Sequence, residues 1–133
     1  MSDCEQDARG ELTLRTLAMP ADMNANGDIF GGWVLSQMDI ASGIVAGQRA
    51  EGRVTTVAVD AMKFIRPVKV GDVLCIYARV DRVGRTSMGI AIEAWVLRRS
   101  DRDRHGAREK VTEALFTYVA IDEDGKPRVV PSQ

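Results

Sequence analysis

Residues 22–32, DMNANGDIFGG, concentrate side chains that can bind a metal ion or a carbonyl group. The segment matches the opening of an EF-hand calcium loop through Asp22, Asn24, Asn26 and Gly27. Such a loop closes with a bidentate glutamate at its twelfth position. That position holds Trp33, whose indole has no oxygen for calcium. We therefore reject a calcium site and expect no bound metal.

Asp39 is the only formally charged residue between Phe30 and Gly47. On a helix it shares a face with Leu35 and Gly43, which lie four residues to either side. An unpaired carboxylate is costly to bury. Asp39 therefore either reaches solvent or an arginine, or it serves a function.

Gly31 and Gly32 mark the start of the same predicted helix. The first N–H groups of a helix lack intrahelical partners, so this end can bind a developing oxyanion. Gly-Gly alone is better explained as an ordinary helix entry. Asp39 follows Gly32 by seven residues, about two helical turns, and cannot reach its own helix N-terminus. It can serve a site that is built against a second copy of the chain.

Hydrophobic periodicity places these residues on a helix that is surrounded by strands. Apolar residues recur at helical spacing from Gly31 to about Gln48, which predicts one long helix buried most of the way round. Runs of strand character cover residues 11–19, 54–65, 73–83, 86–97 and 111–121. The charged segment 98–110 is typical of a solvated hairpin loop. This order predicts an α+β fold, with a five-stranded antiparallel sheet curled around the helix.

Composition narrows the class of protein. The chain has 133 residues and a net charge of −1, which gives no field to attract nucleic acid. We expect a flexible leader over residues 1–10, a single domain over 11–133, and no membrane span or signal peptide. Cys4 lies in the polar leader and Cys75 in an apolar run, so we expect core packing rather than a disulfide. These features favour a cytoplasmic protein.

The pattern N-x-x-G-x-x-F-G-G-x-x-x-x-x-x-D, from Asn24 to Asp39, resembles the signature of hotdog-fold acyl-CoA thioesterases. The longer segment LRTLAMPADMNANGDIFGGWVLSQMDIASG is similar to the YciA-type subgroup, as are VTTVAVDAMKFIRPVKVGDV and RVGRTSM. The resemblance covers about residues 12–130. It implies a hotdog fold, with the sheet wrapped around a central helix and paired into a dimer. It also implies hydrolysis of acyl-CoA to a carboxylic acid and free coenzyme A.

The resemblance assigns roles to particular residues. Asp39 matches the catalytic acid, acting as general base or as nucleophile; the residues leave both open. Asn24 matches a loop asparagine that positions water or the thioester. The backbone N–H groups around Gly31, Gly32 and Trp33 match the donors that polarise the thioester carbonyl.

Coenzyme A enters only as part of the substrate, and no separate cofactor is expected. Its phosphates need cations, and Arg85 in RVGRTSM is favoured because it matches the family segment. Phe30 stands where many hotdog enzymes have histidine, a departure that the YciA-type pattern shares. The full set of expected substrate contacts is Phe30, Lys63, Arg66, Gly84, Arg85, Thr86 and Ser87.

Two alternatives remain open. A hotdog dehydratase relies on a histidine with an acid, and His105, the only histidine, lies in the charged loop. A non-catalytic acyl-CoA-binding or regulatory module could dispense with Asp39. For the thioesterase and for both alternatives, the unprotected sheet edges predict a homodimer. The resemblance implies a hexamer of three dimers.

Overall fold

The computed structural model describes residues 8–99, 103 and 105–132, so most of the predicted leader, including Cys4, lies outside the described residues. Five strands and one long helix follow one another along the chain, with a short 3-10 helix before the long one. Their bounds are β1 Glu11–Leu17, 3-10 helix Pro20–Asp22, α1 Gly31–Ala50, β2 Val54–Phe64, β3 Val73–Val83, β4 Ser87–Leu97 and β5 Arg108–Ala120.

The strands form one antiparallel sheet in the order β1-β3-β4-β5-β2. The helix α1 packs against all five strands. The predicted architecture is therefore confirmed, and each predicted strand lies within three residues of its observed bounds. The edge strands are β1 and β2, so among the described residues the outer edge of β2 has no strand partner.

The core lies between α1 and one face of the sheet. Met38, Ala41 and Ala46 are fully buried on the helix, and alternate residues of β4 and β5 face them. The helix is not buried most of the way round, however. Ile40 and Ile44 remain 52% and 44% exposed in the single chain. An apolar helix face is thus left open to a further partner.

The two ends of α1 differ in how their backbone groups are satisfied. The helix ends at Glu51 in the left-handed conformation (φ 55°), and Arg128 Nη2 donates to the Ala50 carbonyl at 2.8 Å. The N-cap residue, Phe30, offers no side-chain hydrogen bond. The N-terminal end therefore presents unsatisfied backbone N–H donors, whereas the Ala50 carbonyl at the other end has a partner.

The segment 98–110 is not wholly a solvated loop. Arg98 is buried, and its guanidinium donates to Asp72 at 2.7 Å and to Glu109 at 2.9 Å. β5 already begins at Arg108. The prediction was wrong at both ends of the segment because the charged side chains there belong to a buried ion cluster that joins β3, β4 and β5. Residues 100–102 and 104 lie outside the described part of the chain.

Among the described residues, no helix is long and apolar enough to cross a membrane. Cys75 is buried on the outer face of the sheet, packed with Tyr77 and Trp95. This position agrees with its predicted role in packing.

Replacing Asp72 by alanine is expected to lower the free energy of unfolding by about 3–5 kcal/mol, because it leaves a buried guanidinium without one of its charge partners. Denaturant unfolding measures the loss. The control is Asp81→Ala, since the Arg79–Asp81 pair is substantially exposed and is worth less than about 1 kcal/mol. Equal destabilisation by the two changes would contradict the assignment.

Candidate active site

Asp39 lies in the middle of α1 and is half-buried. Its Oδ1 atom accepts a hydrogen bond from the Tyr118 hydroxyl at 2.5 Å and another from Thr56 Oγ1 at 2.8 Å. The Tyr118 hydroxyl also lies 2.8 Å from the Asp39 backbone carbonyl oxygen. Two neutral hydroxyl groups therefore hold the carboxylate, and among the described contacts no arginine does so.

The sheet register brings these hydroxyl groups to the carboxylate. Thr56 on β2 and Tyr118 on β5 are direct partners across an antiparallel pair. The helix runs antiparallel to β2, since its start lies near Phe64 and its end near Val54. Asp39, near the middle of the helix, is thereby placed over the Thr56–Tyr118 pair.

Tyr118 is only 2% exposed, and its pKa is raised well above the ordinary value. Burial is the larger cause, because it penalises the phenolate. The hydrogen bond to the Asp39 carboxylate and the charge of that group act in the same direction. Tyr118 therefore remains a protonated donor throughout the neutral and moderately alkaline range.

The N-terminus of α1 offers two backbone donors. Trp33 N–H is bonded to the Phe30 carbonyl at 3.1 Å, so it is not available as the third predicted donor. Gly31 and Gly32 precede it and are exposed. A Cβ added at Gly32 would meet no atom within 4 Å, so the approach to this end of the helix is open.

A cavity of about 290 Å³ runs along the exposed helix face from this end. It is lined by Gly32, Leu35, Ser36, Asp39, Thr56, Val59 and Phe116. The candidate oxyanion donor and the candidate base thus line one groove. Seven residues separate them, so they lie about 11 Å apart along the helix axis.

A second cavity, of about 270 Å³, lies on the other side of Gly31. Most of its lining is apolar and comes from Ile29, Val34, Phe64, Ile65 and Val68. The helix N-terminus therefore stands between a groove that contains a carboxylate and a largely apolar pocket.

Asn24 organises the loop that leads into α1. Its Oδ1 accepts the backbone N–H groups of Asn26 at 2.9 Å and Asp28 at 3.1 Å. The side-chain oxygen is thus occupied by the loop's own backbone, which accounts for the resemblance to a calcium loop. Phe30 follows this loop and is 53% exposed beside the helix start.

The predicted phosphate-binding residues form the turn between β3 and β4. Gly84 N–H donates to the Ser87 carbonyl at 2.8 Å, and Thr86 O accepts from Ala120 N–H at 2.9 Å. Ser87 pairs with Val119, the residue after Tyr118. The turn therefore lies towards the C-terminal end of α1, with the Arg85 side chain exposed.

Lys63 and Arg66 lie at the opposite end, near the start of α1. The Arg66 guanidinium contacts Glu109 at 3.3 Å and donates to the Lys110 carbonyl at 2.9 Å. One chain does not bring these residues together with Arg85. Because Arg66 is already engaged, Arg85 is the more accessible cation.

His105 is exposed, and its Nδ1 lies 3.1 Å from the Arg99 carbonyl oxygen. It precedes β5, whereas Tyr118 is ten residues beyond the start of that strand at Arg108, a distance of about 30 Å. A histidine–carboxylate pair with Asp39 is therefore impossible within one chain.

Tyr118 and Thr56 were not predicted as site residues. Tyr118 occurs in the largely apolar second half of β5, and a buried tyrosine hydroxyl usually finds a polar partner. That signal indicates a partner but does not identify it. Thr56 carried no comparable signal, because threonine is common in strands.

Comparisons with known proteins identify the family of the chain. The family model described as Thioesterase superfamily matches residues 26–100. The acyl-CoA thioester hydrolase YciA of Salmonella typhimurium is 58% identical over 133 residues, covering 100% of this chain and 99% of that protein.

Two solved structures carry the same fold. The hexameric thioesterase y2039 from Yersinia pestis is 59% identical with a TM-score of 0.89, covering 95% of this chain and 99% of that one. A hexameric hotdog fold thioesterase of Campylobacter jejuni is 38% identical with a TM-score of 0.86, covering 98% and 93%. The predicted hotdog fold is confirmed, and the chain belongs to the thioesterase superfamily and, within it, to the YciA-type acyl-CoA thioester hydrolases.

Proposed function

We propose that this chain hydrolyses acyl-CoA thioesters with Asp39 as its catalytic carboxylate and the N-terminus of α1 as its oxyanion hole. The observation that carries the proposal is that Asp39 and the uncapped N-terminus of α1 lie along one open face of the helix, which a second copy of the chain can cover. The N–H groups of Gly31 and Gly32 are placed to donate to the thioester oxygen as it gains charge. Asn24, in the loop before the helix, is a candidate to position water or the thioester.

The reaction needs no group beyond water and these residues. Asp39 either takes a proton from the attacking water or attacks the carbonyl carbon itself. In both routes the C–S bond breaks and coenzyme A leaves as a thiolate, which takes up a proton. In the nucleophilic route the acyl group is left on Asp39 as an anhydride, and water then hydrolyses this anhydride and restores the carboxylate. The products are a carboxylic acid and free coenzyme A.

The acyl group has a natural place beside the oxyanion donors. The second cavity adjoins Gly31 and is lined mainly by apolar side chains. Hydrocarbon is stabilised in such surroundings because its surface is removed from water. We assign the acyl chain to this cavity and the thioester carbonyl to its mouth.

The complete site requires two subunits. A reacting carbonyl must lie about 3 Å from both its donors and its base, whereas Gly32 and Asp39 of one chain are about 11 Å apart along the axis. Two antiparallel helices related by a two-fold axis remove this conflict, because each supplies Asp39 to the other's N-terminus.

The surface around the groove suits a second copy of the chain. Ile40 and Ile44 on α1 and Val57 and Val59 on the edge strand β2 are all at least 39% exposed. An apolar patch beside a free strand edge is typical of an interface. Since the solved relatives include hexameric thioesterases, we propose a dimer as the active unit and three dimers in the assembly.

In the same two-fold arrangement we assign the coenzyme A phosphates to the turn that contains Arg85. Arg85 lies towards the C-terminal end of its own helix, and that end adjoins the partner's helix N-terminus. Arg85, with the hydroxyl groups of Thr86 and Ser87, is therefore available to the site that uses Asp39 of the same chain. Lys63 and Arg66 flank that site from the partner's side.

Asp39→Ala is expected to lower kcat by about 10²–10⁴-fold, the usual loss for a positioned base. Release of free thiol from a panel of acyl-CoA substrates measures the effect, and activity of the unaltered protein on that panel tests the function itself. Asp60→Ala is the matched control, because Asp60 is an exposed carboxylate on β2 outside the groove. Wild-type turnover by the Asp39 variant would refute the assignment.

Arg85→Ala is expected to raise KM about tenfold or more while changing kcat less, because a phosphate contact far from the reacting carbon contributes uniform binding. Steady-state kinetics with one acyl-CoA at constant ionic strength provide the measurement. Arg79→Ala, which removes an exposed cation on the outer face of the sheet, should leave KM unchanged. An unchanged KM for Arg85→Ala would exclude this residue from the site.

Mixing two inactive variants tests the shared site. Asp39→Ala removes the carboxylate, and Gly32→Phe blocks the helix N-terminus, where the structure leaves room for the added side chain. An equal mixture should regain about a quarter of the wild-type sites, because half of the dimers are mixed and each mixed dimer has one intact site. Subunit exchange is verified by mass spectrometry. Verified exchange without recovered activity would rule out a site made from two chains.

A further inference from the structure

The two oxygen atoms of the Asp39 carboxylate are not equivalent. Oδ1 accepts hydrogen bonds from Tyr118 and Thr56, at 2.5 and 2.8 Å. Among the described residues no hydrogen bond to Oδ2 is present, and the side chain lines the groove. One oxygen is thus anchored to the sheet, and the other is available to substrate or water.

We propose that Tyr118 is a positioning residue, which holds Oδ1 of Asp39 so that Oδ2 faces the reacting centre. This proposal rests on the proposed role of Asp39 in hydrolysis. Tyr118 itself does not line the groove, so it acts through Asp39 rather than by touching substrate.

The packing of the Tyr118 side chain suits it to this role. The side chain is 2% exposed, and its ring stacks on Phe116 with centroids 6.5 Å apart and an interplanar angle of 16°. A rigid ring anchored on β5 fixes its hydroxyl more firmly than the exposed Thr56 side chain can. Its raised pKa keeps the hydroxyl protonated, so the donor is present wherever Asp39 is ionised.

The surroundings of Asp39 simplify a pH experiment. The groups that approach the Asp39–Tyr118 pair are Thr56 on β2, Phe116 on β5, and Ser42 and Gly43 on α1, and none of them titrates in the accessible range. Among the described contacts, Tyr118 is the one titratable group bonded to Asp39. A change at Tyr118 therefore reports on Asp39 directly.

Tyr118→Phe is the test, since it removes the hydroxyl and keeps the ring. The expected result is a fall in kcat of about 10- to 100-fold, the range for losing a hydrogen bond to a charged group. KM should change little. The acid limb of the kcat/KM profile should move to higher pH, because the ionised carboxylate has lost a donor. A structural defect alone would lower the amount of active enzyme without moving that limb.

Tyr77→Phe is the matched control. Tyr77 is the other tyrosine of the chain and is also buried, but it lies on the outer face of the sheet with Cys75 and Trp95. This variant should keep the wild-type kcat and pH profile. If Tyr118→Phe keeps the wild-type kcat and the wild-type acid limb while Asp39→Ala loses activity, the positioning role of Tyr118 is wrong and the proposed function still stands. Full activity of Asp39→Ala would instead remove the proposed function.

A spectroscopic measurement covers the case in which Tyr118→Phe does not fold. In the Tyr77→Phe background, the tyrosine bands of the ultraviolet difference spectrum at neutral pH report Tyr118 alone. Adding Asp39→Ala should shift these bands to shorter wavelength, because the Tyr118 hydroxyl loses its carboxylate acceptor. Tyrosine bands that are unaffected by Asp39→Ala would show that the two groups are not hydrogen-bonded and would refute the proposal.

Discussion

The hydrogen bond between Tyr118 and Asp39 is the interaction on which the arrangement of the site depends. It joins the middle of α1 to the C-terminal part of β5 across the core. Thr56 adds a second bond from β2, the strand paired with β5 at that point. A carboxylate that is half-withdrawn from water thereby keeps two donors, which offset the cost of its burial. The rotation and depth of α1 on the sheet are constrained by the same contact.

The asymmetry of α1 completes the site. Arg128 satisfies the carbonyl of Ala50 at one end, whereas Phe30 offers no side-chain cap at the other. Capping typically stabilises a helix by about 1 kcal/mol. The uncapped N-terminus lacks this stabilisation, and its N–H groups remain free to bind an anion. The glycine pair keeps that end unobstructed, and the Asn24 loop holds the chain that enters it through bonds to its own backbone.

The hydrophobic periodicity of the sequence predicted the helix and the five strands. Each element has one face in the core, so its apolar residues recur at a regular spacing within a short stretch of sequence. Asp39 could be singled out from the sequence because it is the only charged residue between Phe30 and Gly47. Its partners could not be, because the Tyr118 contact depends on the register of β2 and β5 and on where the helix crosses them. The burial of Arg98 escaped prediction because its partner Asp72 comes from the turn before β3 and its partner Glu109 from β5, while its neighbours in sequence are charged.

The proposed dimer gives a reason why the proposed catalytic carboxylate has neutral anchors rather than a cation. Val59 lines the groove, and Ile40, Ile44 and Val57 are exposed on the same helix and strand, so a second copy that covers this face also removes water from Asp39. Lower polarity strengthens the helix N-terminal donors towards a developing oxyanion, but it penalises an ionised carboxylate. An arginine would stabilise that carboxylate at the expense of its reactivity towards water or thioester. Two hydroxyl groups on one oxygen stabilise the charge less and leave the other oxygen reactive, which lets the same face be both a dry interface and an active site.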